Sequence, residues 1–239
     1  MKQIFALVDE RISDKCFDGL KNYGFLPIKL PKIDTLPAPI ASHTDIITFK
    51  LYDKLFLSKS YFDAFFDILS PLCPEKIIAT KELQGVNYPL DAIFNGLLMG
   101  DKLFCKMDTF SKEILLYAES LGIKAVNVKQ GYPACTTLKI SENAAITADR
   151  GMSRALRSQG ISVLDIENGG VLLPPYEYGF IGGTGALYGD KVFFLGDIRN
   201  HPDSDKILSF IEENGRIAIS LSDEPLADLG GIAFIEKDI

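Results

Sequence analysis

The sequence contains no tryptophan and only two histidines, and its four cysteines lie far apart in the chain. The cysteines are Cys16, Cys73, Cys105 and Cys135. Since no two of them form a CxxC pair, the sequence signals neither a disulfide framework nor a zinc knuckle. Any chemistry that needs an imidazole must use His43 or His201. We therefore expect no metal site and only a few catalytic candidates.

Long apolar runs and a basic surface are also absent. No run reaches the roughly 18–20 residues of a membrane span, and the apolar run near the start of MKQIFALVDERIS is too short for a signal peptide. The formal net charge of −7 disfavours binding to nucleic-acid phosphates, which requires a basic face. We expect a cytoplasmic protein that binds neither membrane nor nucleic acid. The sequence does not indicate its oligomeric state.

A turn followed by a strand recurs along the chain. The tetrapeptides that share this pattern are Asp53-Lys54-Leu55-Phe56, Asp101-Lys102-Leu103-Phe104, Asp190-Lys191-Val192-Phe193 and, more weakly, Glu142-Asn143-Ala144-Ala145. Their first residues are 48, 41 and 48 positions apart, a spacing typical of repeat architectures. Around each copy, the hydrophobic pattern predicts the order strand, turn, strand, helix, strand.

We predict one α/β domain over residues 1–239, built as a five-bladed β/α propeller of ββαβ repeats. The repeats span residues 43–80, 90–128, 135–166, 179–221 and, split between the termini, about 1–30 plus 231–236. In the split repeat, residues 231–236 are expected to pair with residues 2–8 and close the ring, which removes exposed sheet edges. Strands are predicted to begin at residues 45 and 135. The glycines of residues 179–185 are expected to let strands approach closely.

Polar residues recur seven positions after the turn acids, where the second strand of each repeat ends. They are Ser60, Asp108, Asp149 and Asp197, with Asp9 at the corresponding place in the first repeat. An acid just before a helix is typical of an N-cap, and we assign that role to Asp9 and Asp108. Asp149 and Asp197 each have an arginine and a glycine nearby, so we expect both to bind a small polar ligand in one shared cavity.

The repeat and its closure resemble the pentein superfamily, pseudo-five-fold propellers that include guanidine-modifying enzymes and the non-catalytic translation initiation factor six. The guanidine-modifying members use a histidine in an HxD tripeptide, a late cysteine nucleophile after a glycine pair, and carboxylates that bind guanidinium. His43-Thr44-Asp45 resembles the tripeptide and Gly230-Gly231 the glycine pair. However, Ile232-Ala233-Phe234 follows the pair, so the expected nucleophile is missing.

Cys135 is the candidate that could replace the missing nucleophile. It opens the fourth repeat, a position equivalent under the pseudo-symmetry to the one after the glycine pair, and it follows Gln130 in a polar loop. His43 or His201 would act as the base, and a neighbouring imidazolium would hold the thiol pKa below its usual value of roughly 8.5. The alternative is a buried cysteine that packs as a small hydrophobe.

The resemblance implies binding of a small polar, cationic ligand that carries a guanidino or amidino group, without a cofactor. The candidate ligand-binding residues are Asp45, Gln130, Asp149, Asp197 and Asp203. Asp203 belongs to His201-Pro202-Asp203, which repeats the His-x-Asp spacing, but it would also serve as a helix cap. Two other functions stay open: a cysteine-dependent hydrolase or transferase acting on a guanidino, amidino or amide substrate, and a non-catalytic macromolecule-binding factor.

Overall fold

The computed structural model describes residues 2–72 and 74–238, which contain seventeen strands and eight α-helices. Cys73, predicted to lie in a turn, is outside the described residues. Most of the strands form five three-stranded sheets with one connection pattern. In each sheet the central strand pairs antiparallel with one neighbour and parallel with the other. A helix separates the central strand from its parallel neighbour in the chain.

The strands are short, as expected for segments between frequent turn signals. The first sheet contains β1 (Lys2–Asp9), β2 (Leu26–Leu30) and β17 (Ala233–Asp238), and the second contains β3 (Thr48–Leu51), β4 (Lys54–Ser58) and β5 (Ile77–Thr80). The third contains β6 (Leu97–Met99), β7 (Lys102–Cys105) and β8 (Lys124–Asn127), and the fourth β9 (Thr137–Ser141), β10 (Ala144–Thr147) and β11 (Ser162–Asp165). The fifth contains β13 (Gly185–Tyr188), β14 (Lys191–Phe194) and β15 (Ile217–Ser220), and β12 (Val171–Leu172) pairs with β16 (Leu226–Ala227).

The helices are α1 (Asp14–Asn22), α2 (Thr44–Ile47), α3 (Lys59–Ala64), α4 (Phe66–Leu69), α5 (Lys112–Ser120), α6 (Pro133–Thr136), α7 (Arg150–Ser158) and α8 (Ser204–Glu213). Short 3₁₀ turns cover Pro74–Lys76, Leu90–Ala92, Gly182–Thr184 and Ile198–Asn200. No helix in the described part of the chain has the length and apolar character that a membrane crossing requires.

Serines, rather than the predicted acids, cap helices α1 and α5. Ser13 accepts a hydrogen bond from the backbone of α1, and Ser111 accepts one from the backbone of α5. The assignment of Asp9 and Asp108 as caps is therefore wrong, because each helix begins several residues after its acid. Asp9 instead binds Arg11, and the exposed Asp108 pairs with a nearby lysine.

Two segments predicted to open as strands form one helical turn first. Helices α2 and α6 occupy the segments that contain Asp45 and Cys135, and β3 and β9 begin only after them. The backbone N–H of Ile47 donates to the carbonyl of His43, and a threonine hydroxyl reinforces each turn by donating to a carbonyl four residues earlier. These local hydrogen bonds override the β-branched pattern from which strands were predicted.

The two ends of the chain pair with each other. Strands β1 and β17 are antiparallel, with a register that runs from Lys2 opposite Asp238 to Leu7 opposite Ala233. Phe234 and Ile235 of β17 are 3% and 2% exposed. The C-terminal strand is therefore part of the core of the first sheet.

Five of the apolar core clusters each contain residues from two sheets. The pairs of sheets are first and second (Leu7, Ile235, Leu55, Leu57), second and third (Phe49, Phe56, Leu103, Cys105), third and fourth (Met99, Phe104, Ala145), fourth and fifth (Leu138, Ile146, Val192, Phe194), and fifth and first (Phe193, Val8, Phe234). Burial of this apolar surface is the main favourable contribution to folding.

Candidate functional site

The tripeptide His43-Thr44-Asp45 lies at the start of α2, against the C-terminal segment of the chain. The backbone N–H of Asp45 donates to the carbonyl oxygen of Gly230 at 3.1 Å. Gly230 has a φ of +70°, and a Cβ on it would lie 2.6 Å from Asp45 Oδ1 and 2.7 Å from His43 Cβ. The two motifs on which the resemblance rests are therefore neighbours in space, although they are at opposite ends of the chain.

Replacement of Gly230 by alanine tests this close packing. Gly122 is the matched control, because its φ of +75° imposes the same backbone strain, but an added methyl group would meet no atom of the described residues within 4 Å beyond its chain neighbours. We expect each alanine to cost about 1 kcal/mol for the positive φ. Gly230→Ala should cost a further 1–3 kcal/mol, roughly, from overpacking against Asp45 and His43. Equal losses in urea-unfolding experiments would contradict the packing described above.

Cys135 lies on α6 and contacts Asp45 directly. Its thiol donates to Asp45 Oδ2, with an Sγ–Oδ2 distance of 2.7 Å. Asn95 links the two turns, because its Nδ2 lies 3.2 Å from both Cys135 Sγ and the Asp45 carbonyl oxygen, and its Oδ1 accepts from the backbone N–H of Ala134 at 2.8 Å. The structure therefore brings together two of the predicted site residues and adds Asn95, which the sequence analysis missed.

His43 is enclosed between two carboxylates. Its side chain is 1% exposed, with Nε2 4.0 Å from Asp9 Oδ2 and Nδ1 3.8 Å from Asp228 Oδ1. Neither ring nitrogen has a hydrogen-bond partner among the described residues. Asp9 also binds Arg11, whereas Asp228 accepts hydrogen bonds from the backbone N–H groups of Phe180 and Gly230. We call His43, Asp45, Cys135 and Asp228 the polar cluster.

Burial governs protonation in the polar cluster. It raises the pKa of both Asp45 and Asp228 to about 6. Burial also lowers the pKa of His43, although the neighbouring aspartates oppose that effect. The pKa of the Cys135 thiol is raised well above its usual value, first by burial and then by the charge of Asp45 and Asp228. This direction is opposite to the one expected for a cysteine nucleophile, so the thiol and imidazole are neutral near pH 7.

A cavity of about 570 Å³, which we call the central cavity, adjoins the cluster. It is lined by residues of the five strands β3, β6, β9, β13 and β17, one from each three-stranded sheet. Asp45 forms part of its wall and is partly exposed, whereas His43 and Cys135 are buried. Asp45 is therefore the residue of the polar cluster that lines the central cavity, and its Oδ1 is buried there.

Gln130, Asp149 and His201 lie elsewhere. Asp149 caps α7, accepting at Oδ1 from the backbone N–H of Met152, while its Oδ2 accepts from Gln130 Nε2 at 2.8 Å. His201 and Asp149 line a separate cavity of about 440 Å³. His201 Nδ1 accepts from the backbone N–H of Asp203 at 3.0 Å. The other candidate base, His43, has a ring nitrogen within 4.8 Å of Cys135 Sγ.

Asp197 and Asp203 are held by cationic side chains close to them in the chain. Asp197 forms a bidentate ion pair with Arg199, which lowers the pKa of the Asp197 carboxyl to about 2, and it caps the 3₁₀ turn that follows. Asp203 pairs with Lys206 at 2.6 Å and accepts from the backbone N–H of Glu167. Both carboxylates have partners within the chain. The prediction that they bind a ligand stays a prediction.

The polar cluster can support two kinds of chemistry. Its carboxylates can bind a cationic group, because no lysine or arginine nitrogen in the described residues lies within 4.0 Å of Asp45 or Asp228. Its nitrogen, sulfur and oxygen atoms could also coordinate a metal, since ligand atoms of His43, Asp45 and Cys135 lie within 4.8 Å of one another.

Comparison with solved structures identifies the fold as that of the pentein superfamily, which confirms the resemblance. A mutant of DDAH from Pseudomonas aeruginosa, complexed with citrulline, matches with a TM-score of 0.58 and 11% identity over 92% of each chain. Substrate-bound C. jejuni agmatine deiminase matches with a TM-score of 0.54 and 10% identity over 99% of this chain and 94% of that one. SxtG, an amidinotransferase from Microseira wollei in the saxitoxin biosynthetic pathway, matches with a TM-score of 0.52 and 10% identity over 86% of this chain and 72% of that one.

The chain belongs to the family of unknown function DUF6873, whose sequence profile matches residues 7–233. No curated protein sequence matches the chain. The solved structures share the fold at low identity, so the function must be argued from the site itself.

Proposed function

We propose that this protein binds a small cationic ligand with a guanidino or amidino group in the central cavity, through Asp45. The observation that carries the proposal is the position of Asp45 in the cavity wall. A second carboxylate, Asp228, lies in the same cluster, and neither has a cationic side chain within 4.0 Å among the described residues. A buried carboxylate without a counter-charge is costly, and a bound cation offsets that cost.

A guanidinium group suits this site better than a point charge. It is planar and presents several N–H donors, so it can pair with a carboxylate through two parallel hydrogen bonds. Asp45 Oδ1 has no hydrogen-bond partner among the described residues and is free to accept one. A structure of the same fold, C. jejuni agmatine deiminase, contains its bound substrate, which supports this ligand class by analogy.

Calorimetric titration with agmatine tests the proposal. We expect saturable binding at one site, and citrulline, whose neutral urea group replaces the cation, should bind more weakly. Asp45→Asn should weaken agmatine binding roughly 10- to 100-fold, because a hydrogen bond to a charged group contributes about 1.5–3 kcal/mol. Asp197→Asn is the matched control and should bind agmatine like the wild type, since Arg199 already pairs with Asp197. Equal binding by the wild type and Asp45→Asn would overturn the proposal.

A second candidate function is thiol chemistry on the bound ligand. It is favoured by the contact of Cys135 with Asp45 and by the proximity of His43. A cation bound beside the two carboxylates would offset the charges that raise the thiol pKa. In this step Sγ bonds to the amidino carbon, the carbon–nitrogen bond to the leaving amine breaks, and the thiol proton passes through His43 to that amine. Water or an acceptor amine then releases Cys135.

Cysteine variants test the thiol chemistry. Incubation with agmatine should release ammonia, and Cys135→Ser should abolish that release without abolishing agmatine binding. Cys105→Ser is the control, because Cys105 is buried in an apolar cluster and has no role in the proposed step. Release that persists in Cys135→Ser would contradict the second candidate, and agmatine binding without any release would leave ligand binding as the function.

We also propose that the five three-stranded sheets are the blades of a closed ring in one domain, with residues 43–80, 90–128, 135–166, 179–221 and the paired termini as repeats. The five core clusters support this arrangement, because each links two sheets that would be neighbours in the ring. The pairing of β1 with β17 supports the closure of the ring.

A further inference from the structure

Three chemically different ligand atoms converge in the polar cluster. A ring nitrogen of His43, a carboxylate oxygen of Asp45 and Sγ of Cys135 lie within 4.8 Å of one another. The residues come from two helical turns, and Asp45 and Cys135 are 90 positions apart in the sequence. No cysteine or histidine spacing in the sequence therefore signals the set, which explains why no metal site was expected.

The hydrogen-bonding state of His43 points to a missing partner. Both ring nitrogens are buried without a hydrogen bond to any of the described residues, and so is Asp45 Oδ1. Buried polar atoms in folded proteins are nearly always satisfied, because an unsatisfied one costs about 1–3 kcal/mol. Three such atoms in one cluster indicate that the site accommodates a further polar or charged species.

We propose that His43, Asp45 and Cys135 bind a divalent transition metal ion, with zinc as the preferred ion. Imidazole, thiolate and carboxylate are the ligands that zinc uses in proteins, and one thiolate plus one carboxylate neutralise its charge. Harder ions such as magnesium are disfavoured, since they prefer all-oxygen sites. Binding replaces the thiol proton by the metal, so one proton is released for each ion bound.

The surrounding residues suit this role. Ligand atoms at about 2.0–2.3 Å from a tetrahedral ion are roughly 3.3–3.8 Å apart, so His43 needs to move by only about 1 Å toward the other two. The ring nitrogen of His43 that does not bind the metal would then donate to Asp9 or Asp228, the carboxylates now at 4.0 and 3.8 Å. Three protein ligands leave a fourth position for water or a bound molecule.

The metal site does not rest on the proposed binding of a guanidino ligand, but both use Asp45. A metal bound to this carboxylate removes the charge that the cationic ligand needs. Occupancy by the metal and by the guanidinium group is therefore mutually exclusive. Zinc would act as an inhibitor of ligand binding at this site.

Cobalt substitution tests the metal site on the full-length chain. After treatment with EDTA and removal of the chelator, titration with Co²⁺ should give one equivalent of bound ion and a thiolate-to-cobalt charge-transfer absorption, both reversed by Zn²⁺. Cys135→Ser should abolish that absorption and weaken zinc binding by more than about 100-fold. This loss is larger than the one expected when a residue that only hydrogen-bonds a metal ligand is removed. Cys105→Ser, which removes a buried thiol of an apolar cluster, should retain both.

Two results would overturn the metal site: absence of stoichiometric Co²⁺ binding by the folded chain, or a charge-transfer absorption that survives in Cys135→Ser. Circular dichroism establishes that each variant is folded, and His43→Gln provides a second variant that should weaken binding. Agmatine titration of the EDTA-treated protein is measured separately. If the EDTA-treated protein binds Co²⁺ but does not bind agmatine, the guanidino proposal is contradicted and the metal site stands.

Discussion

Truncation of the chain after residue 227 is expected to abolish cooperative unfolding. The deletion removes β17, which pairs with β1 along six residue pairs, and exposes the edge of the first sheet. It also removes buried residues from the two core clusters that join the first sheet to the second and fifth sheets. Thermal unfolding followed by circular dichroism checks this expectation, and an unchanged melting transition would contradict the proposed closure of the ring by the termini.

Phe234→Ala isolates the contribution of packing from that of the backbone. The Phe234 ring lies 4.7 Å from the ring of Phe25, 4.8 Å from that of Tyr188 and 5.9 Å from that of Phe193, measured between centroids. We expect a loss of about 3–5 kcal/mol in the free energy of unfolding. Asp238→Ala on the same strand is the control and should change it by less than about 0.5 kcal/mol, because Asp238 is exposed. Similar effects of the two substitutions would show that β17 is not a core strand.

Asp45→Asn is expected to stabilise the ligand-free protein at neutral pH. The pKa of Asp45 is raised from 3.8 to about 6, so its ionised form destabilises the fold by about 3 kcal/mol. Asparagine keeps the shape and can still accept the Cys135 hydrogen bond at its carbonyl oxygen. Its amide nitrogen replaces Oδ1, which has no hydrogen-bond partner among the described residues. Urea unfolding of metal-free samples at pH 8 measures the gain.

The pH dependence of this gain gives the more specific test. A group whose pKa is higher in the folded than in the unfolded state favours folding below its unfolded pKa, and that advantage is lost as the pH rises through its folded pKa. The difference between Asp45→Asn and the wild type should therefore be near zero at pH 4, grow between pH 4 and about 6, and stay constant above pH 7. A pH-independent difference would contradict the burial of this carboxylate.

Stabilisation and loss of ligand binding in the same variant would be informative together. If Asp45→Asn is more stable yet binds agmatine weakly, unfolding cannot explain the weak binding. Such a trade between stability and function is typical of groups retained for binding.

The fold was predictable to the extent that its signals are local. The Asp-Lys turns and the amphipathic helices predicted the order of elements in the second to fifth sheets, and the unassigned strand at the C terminus predicted the pairing with β1. The helical turns α2 and α6 were missed, because β-branched residues near them matched a strand pattern. The serine caps were missed, because several loop residues separate them from the strands.

The site was predictable only in part, because it is assembled from distant segments. His43, Asp45 and Cys135 were predicted from the tripeptide and the pseudo-symmetry, and they lie together. Asp228 could have been found, since it stands two residues before the glycine pair, which packs on the tripeptide. Asn95 precedes a glycine, so it matches a turn signal and gives no sign of its contact with Cys135.

A crystal structure of the protein soaked with agmatine tests the central claim most directly. The account predicts guanidinium density in the central cavity, with a nitrogen within about 3.2 Å of an oxygen of Asp45. In a parallel soak of Asp45→Asn, that density should be absent or much weaker. Guanidinium density in the cavity lined by Asp149 and His201, with none beside Asp45, would contradict the account.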